Sequence, residues 1–194
     1  MNVIAAEDTR HTRKLLNKYD ISARLVSYHE HNEAMRSEQL VKRLQSGEDV
    51  ALVSNAGTPC VSDPGYRLVR RAAEAGCRVV PIPGPSALLA ALSVSGLPTD
   101  RFLFEGFLPR KIGKRRRRLQ ELGQLGVTII IYESPQRILR TLSELAELMP
   151  EAQVVLLREL TKVYETVLRG TAQEILEALG KYPPKGEITV VVHP

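Results

Sequence analysis

The 194-residue chain has only two cysteines, Cys60 and Cys77, and their spacing fits no metal motif. Two thiols in a chain of this length exclude a disulfide framework, so both are read as free, as in a reducing compartment. No apolar run approaches the roughly 20 residues that a membrane-crossing helix requires. The opening Met1-Asn2-Val3-Ile4 lacks the charged and apolar regions of a secretory leader, and a cytoplasmic protein with no membrane partner is expected. No Ser-His-Asp order or Cys-His pairing is evident. His29 and His31 would share one face of a strand, but two histidines are too few for a metal site, and no metal is expected. Phosphate-binding glycine signatures are missing as well: there is neither a Walker A loop nor a Rossmann fingerprint.

What is present is a globular composition, with 43% hydrophobic and 25% charged residues. That is enough apolar material for a substantial core and too little charge for disorder. The net charge of +5 is unevenly spread. Arg110, Lys111, Lys114, Arg115, Arg116, Arg117 and Arg118 put seven basic residues into nine positions. Such density points to a polyanion, RNA being the preferred partner, against the plainer reading of a solvated helix face.

Apolar β-rich runs alternate with amphipathic stretches, which favours a parallel sheet covered by helices. In the first half, strands are expected at Val3–Ala6, Leu25–Tyr28, Val50–Ser54 and Arg78–Ile82. Helices are expected at Glu33–Ser46, at Pro64–Ala75 with Asp63 as its cap, and at Ser86–Ser95 with Ser86 as its cap. The breakers at Gly96–Asp100 set the expected boundary, giving domains 1–97 and 98–194. The second half reads as strands at Phe102–Phe107, Val127–Tyr132, Val154–Arg158, Val163–Arg169 and Glu187–His193. Helices fall near Lys114–Leu125, Pro135–Leu148 and Thr171–Leu179, and an antiparallel final pair would make the second sheet mixed.

Chemistry concentrates at strand-to-helix junctions. Val53–Gly65 leaves the carboxyl end of a strand, where open α/β sheets bind ligands, and Gly57 would let backbone approach a ligand closely. Pro83-Gly84-Pro85-Ser86 opens a helix whose free N–H groups could hold a carboxylate; a rigid turn with a serine cap is the plainer alternative. Glu7 and Asp8 could serve in proton transfer or cap the following helix. Glu133, Arg137, Arg158, Glu159 and Lys162 stand at strand ends, where an ion-pair network explains them as well as substrate binding does.

In this order, Ala5–Arg10, Leu52–Gly65, Pro81–Ser86, Leu92–Pro98, Phe102–Pro109, Tyr132–Arg137, Arg158–Lys162 and Lys185-Gly186-Glu187 resemble the tetrapyrrole-methylase superfamily. More narrowly they resemble its ribosomal RNA small subunit methyltransferase I branch, over essentially the whole chain. The resemblance implies two α/β domains, a parallel sheet in the first and a mixed one in the second, with S-adenosylmethionine in a cleft between them. It implies 2′-O-methylation of a cytidine in small-subunit ribosomal RNA, and a homodimer. By correspondence, Ser54, Asn55, Ala56, Gly57, Thr58, Ser86 and Ala87 touch the cofactor, while Phe107, the backbone at Leu157, and Glu187 after Gly186 border it. Glu7, Asp8 and Glu133, with Glu105 and Glu159 behind them, are the candidate proton acceptors.

Two departures qualify this expectation. Asn55 stands where the family loop has aspartate, so a hydrogen-bonding group remains without its charge. Family members also carry a strand and a glycine-containing loop ahead of the segment matching Val3, which these 194 residues do not contain. Two alternatives follow: carbon methylation of a tetrapyrrole or corrinoid precursor, and a non-catalytic RNA-binding relic.

Overall fold

The structure is a computed structural model and describes residues 3–180 and 184–194. Met1 and Asn2, part of the stretch searched for a leader, lie outside the described residues. The chain divides into two compact units, Met1–Ser86 and Ala87–Pro194.

In the first unit β1 (Val3–Ala6), α1 (Thr9–Lys18), β2 (Arg24–Ser27), α2 (Glu33–Gln45), β3 (Val50–Val53) and α3 (Tyr66–Glu74) follow one another. The sheet is parallel with order β2-β1-β3, in a register that pairs Ala6 with Ser27 and with Val53. Central β1 is wholly buried, and Val3, Ala5, Tyr28, Leu40 and Leu68 form the core under α2 and α3. Tyr28 can be buried because its hydroxyl meets Ser37 Oγ at 3.0 Å and accepts the Leu68 N–H at 3.2 Å.

The second unit holds α4 (Ala87–Ser95), β4 (Phe102–Phe107), α5 (Ile112–Gly123), β5 (Thr128–Glu133), α6 (Ile138–Leu148), β6 (Gln153–Arg158), β7 (Thr166–Gly170), α7 (Ala172–Leu179) and β8 (Ile188–His193). Its sheet order is β4-β5-β8-β6-β7, with β4 and β5 parallel and the other pairings antiparallel. Successive side chains of a strand point to opposite faces. Ile129, Ile131, Val154, Leu156, Val190 and Val192 therefore pack with α5, α6 and α7, whereas Ile130, Val155, Leu157 and Val191 pack with α4. A sheet covered on both faces needs continuous apolar strands, which is what the sequence supplies.

The boundary falls after Ser86, not after Leu97 as expected, because Ala91, Leu92 and Leu97 belong to the core of the second sheet. The strand expected at Arg78–Ile82 does not form; Val79, Val80 and Ile82 are exposed. β3 has β1 on one side, and among the described residues no strand reaches its other edge, so the segment has no ladder to join. No helix among the described residues is long and apolar enough to cross a membrane.

Candidate functional site

The parallel register of β1 and β3 brings two loops together. Glu7 and Ser54 directly follow the paired residues Ala6 and Val53, and the Glu7 N–H donates to the Val53 carbonyl at 3.3 Å. Glu7 Oε2 then accepts the Asn55 N–H at 3.0 Å, fastening the Ser54–Thr58 loop to the end of β1. Ser54 Oγ reaches the Ala56 carbonyl at 3.1 Å, and Thr58 Oγ1 donates to the Pro85 carbonyl at 3.0 Å, so the loop also meets the Pro83–Ser86 turn. Asn55, Ala56 and Gly57 remain exposed. Gly57 has φ +73°, and a side-chain carbon there would meet only the Pro85 carbonyl oxygen, at 3.8 Å. The loop backbone is thus open to a ligand.

Asp63 is the residue that sequence reasoning misplaced. The helix begins at Tyr66 with Gly65 in the capping position, so Asp63 does not cap it. Gly65 is required: with φ +153°, an added Cβ would fall 2.5 Å from Cys60 Sγ and 2.8 Å from a Leu52 methyl. The turn runs through Cys60 (φ 73°) and Ser62 (φ 60°), left-handed conformations that are strained for residues with side chains and that gather at functional sites. Burial pushes the Asp63 carboxyl above its ordinary value, a hydrogen bond with Ser54 opposes this, and the charge of Glu7 adds to the rise. The only signal available in the sequence was Gly65 directly after Pro64.

Asp8 takes the capping role. Its Oδ1 accepts the Arg10 and His11 N–H groups at 2.8 and 3.3 Å, and these bonds hold its carboxyl below the ordinary range. Glu133 is fully buried: its oxygens accept the Ser134 N–H and Thr141 hydroxyl, and Arg137 Nε lies 3.1 Å away. That arrangement joins β5 to α6 and leaves the carboxylate no exposed face.

The other expected site residues lie in the second unit. Leu88 N–H at the start of α4 donates to Tyr132 Oη at 3.1 Å, so that helix end already has a partner. Phe104 and Phe107 both stand edge-on to Tyr132, at 4.9 and 5.9 Å, with Phe107 exposed. Leu157 is fully buried, backbone included, so it offers no surface to a ligand, against the expectation that its backbone borders the cofactor. Glu159 (φ 51°) and Thr161 (φ 65°) form a second strained turn. There Glu159 Oε1 accepts the Glu187 N–H at 2.8 Å, and Lys162 Nζ bridges Glu159 and Glu187 at 2.9 and 3.0 Å. The Glu187 N–H and the ammonium lower the Glu159 carboxyl, and the two carboxylates raise Lys162.

The basic run is corrected in part. Arg115 is buried and forms a two-pronged pair with buried Glu144, at 2.7 and 2.6 Å, so it cannot reach RNA. Arg118 grips Glu105 in the same manner at 2.8 and 2.7 Å, and Arg116 and Arg117 lie within 2.6 and 3.4 Å of Glu147 and Glu121. A period-3.6 helix turns part of any basic run inward, where a carboxylate must meet it. Arg110, Lys111 and Lys114 remain exposed. Among the described residues no cluster of three or more His, Cys, Asp or Glu could hold a metal ion.

These loops at the ends of parallel strands match a known class. The profile described as Tetrapyrrole (Corrin/Porphyrin) Methylases matches residues 1–176, and the chain belongs to that family of methyltransferases. Its relatives narrow the placement. Proteins named ribosomal RNA small subunit methyltransferase I from Xylella fastidiosa and Vibrio cholerae are 50% and 46% identical to it. The matches cover 99% and 100% of this chain and 71% and 68% of the relatives, so the chain spans about two thirds of their length. Among solved structures, a diphthine synthase aligns with a TM-score of 0.69 at 14% identity, over 99% of this chain and 79% of its own. A uroporphyrin-III C-methyl transferase from Thermus thermophilus, complexed with S-adenyl homocysteine, aligns with a TM-score of 0.59 at 18% identity, over 97% and 84%. At those identities they share the fold.

Proposed function

We propose that the chain transfers the methyl group of S-adenosylmethionine to the ribose 2′-oxygen of a cytidine in 16S ribosomal RNA, acting in the cytoplasm as a homodimer. The observation that carries this reading is the 46–50% identity, over 99–100% of the chain, to relatives named for ribosomal RNA methylation. The loop geometry suits the donor. Exposed Asn55, Ala56 and Gly57 offer backbone groups and one side-chain amide without bulk. Ser54 and Thr58 flank them in sequence, and Ser86 and Ala87 follow Pro85, whose carbonyl accepts from Thr58.

The donor brings a methyl group already activated on a sulfonium. An oxygen–carbon bond forms, a sulfur–carbon bond breaks, and the hydroxyl proton must leave. The chain's work is to hold the hydroxyl in line, which can lower the barrier by about 7–11 kcal/mol, and to take the proton. Of the candidate acceptors, Asp8 caps α1, Glu105 holds Arg118, Glu133 is buried and Glu159 is tied to Lys162. Glu7 keeps Oε1 uncommitted among the described residues and is assigned the role. Glu7→Gln preserves an acceptor for the Asn55 N–H. It should reduce kcat about 10²–10⁴-fold while leaving the calorimetric affinity for S-adenosylmethionine unchanged.

The direct test incubates the purified chain with S-adenosylmethionine and small ribosomal subunits from cells lacking this modification, then measures 2′-O-methylcytidine. Its formation is expected. Methylation of a corrinoid precursor but not of RNA would transfer the assignment to the other branch, and RNA binding without cofactor affinity would leave a non-catalytic binder.

A further inference from the structure

The cations of the structured helices meet different fates. Arg115, Arg116, Arg117 and Arg118 of α5 face glutamates. Arg67 and Arg70 of α3 pair with Glu33 and Glu74, and Lys42 and Arg43 of α2 pair with Glu38 and Glu48. Lys114, Arg36, Arg71 and Arg140 stand singly without an ion pair among the described residues. Helix α1 differs. It carries Arg10, Arg13, Lys14 and Lys18, and its sequence Thr9–Lys18 contains no acidic residue. All four are exposed, and their spacing of three, four and eight residues places them on one helical face. Among the described residues Arg13, Lys14 and Lys18 have no carboxylate within ion-pair distance. Arg10 has only the capping Asp8, at 3.7 Å, with the arginine side chain 92% exposed.

Beside this face lie apolar groups that ordinarily would be covered. Leu15, Tyr19 and Ile21 are more than half exposed, and Lys18 Nζ sits 5.8 Å from the centre of the Tyr19 ring. A groove of about 450 Å³ lies beside the helix, lined by Arg13, Leu16, Asn17 and Asp20 and by Ile21, Ser22, Ala23 and Leu25. Unpaired cations tracking a backbone, with an aromatic ring beside them, are the two elements by which proteins hold single-stranded nucleic acid. A second copy of the chain suits the face poorly, since a two-fold interface would set the same four cations against themselves.

We propose that the exposed face of α1, with Tyr19 as a stacking platform, is a binding surface for single-stranded RNA, the cations of Arg10, Arg13, Lys14 and Lys18 meeting successive phosphates. This rests on the ribosomal RNA reading and moves the main electrostatic contact from α5 to α1.

The test measures binding of a fluorescent 20-nucleotide single-stranded RNA across a salt series, for the whole chain and for Arg13→Gln/Lys14→Gln/Lys18→Gln. Each phosphate contact to a single strand contributes about 0.7 to the slope of log affinity against log salt, so the triple variant should lose about 2 from that slope. Tyr19→Ala should weaken binding several-fold with the slope unchanged, a signature that a diffuse charge effect would not give. Circular dichroism and S-adenosylmethionine affinity, both expected to match the parent, exclude misfolding. An unchanged slope in the triple variant overturns the assignment to α1, all the more if Lys111→Gln/Lys114→Gln lowers it instead. A change in sedimentation from dimer to monomer with RNA binding intact makes the face a self-association surface and equally overturns it. If the parent chain itself binds no RNA, the ribosomal RNA reading fails together with this one.

Discussion

Strands β3 and β8 are made of the same kinds of residue, yet Val50–Val53 is only partly buried along its length while Ile188–Val192 is buried throughout. The difference is one of neighbours. β8 lies between β5 and β6 with helices on both faces, whereas β3 pairs only with β1 among the described residues. Arg78–Ile82 carries the contrast further: it has the composition of a strand but no ladder, and it stays exposed. Equal hydrophobicity therefore does not mean equal stabilisation, because the gain comes from area removed from water and not from residue type.

The strongest way to break this comparison is to damage the better-buried unit. Glu144→Ala leaves the Arg115 guanidinium buried without its carboxylate, and it should cost about 3–5 kcal/mol in urea unfolding. Replacing both partners, Arg115→Met with Glu144→Leu, should restore most of that stability, since the paired charges themselves contribute little net.

A matched pair of truncations comes next. Leu142→Ala, at a fully buried site of α6, should cost about 2–5 kcal/mol. Leu52→Ala in half-buried β3 should fall below about 2 kcal/mol by the same measurement, and equal costs would contradict the argument from neighbours. Hydrogen exchange should agree, with the amides of β8 protected longer than those of β3.

The smaller effects belong to the first unit. Asp8→Ala removes the cap of α1 and should lower the urea unfolding midpoint by less than either core truncation does. Asp63→Asn should act the other way at neutral pH. Because burial raises the folded-state value of Asp63, the fold favours its protonated form. That contribution is fully present below the ordinary value of 3.8 and is lost as pH rises through the raised one. The amide escapes the loss, so the variant should melt higher than the parent at pH 7 and level with it below about pH 3.8, where the parent is protonated in both states.

Much of this was legible in the chain. Apolar runs located every observed strand, and the carboxylates at Glu7 and Asp8 marked a helix start that Asp8 caps. The loop after β3 was legible because a glycine and two prolines at a strand end have few structural uses. Charge was read less well. The density of Arg110–Arg118 was visible, but which guanidinium turns inward depends on where Glu144 of α6 and Glu105 of β4 arrive.

By itself, the sequence determined the element types, the parallel and mixed sheets, the loop that opens beyond β3 and membership in a methylase family. These follow from local backbone preference, from side-chain periodicity and from an ordered set of motifs. Only the tertiary structure decided the rest. It left Arg78–Ile82 without a partner, drew α4 into the second unit and buried Arg115 against Glu144. It also turned Asp63 away from a helix cap toward Ser54 and Glu7, and left the cations of α1 unpaired. Each of these outcomes depends on which distant residue comes within a few ångströms, and hydrogen bonds, ion pairs and burial are all set at that range.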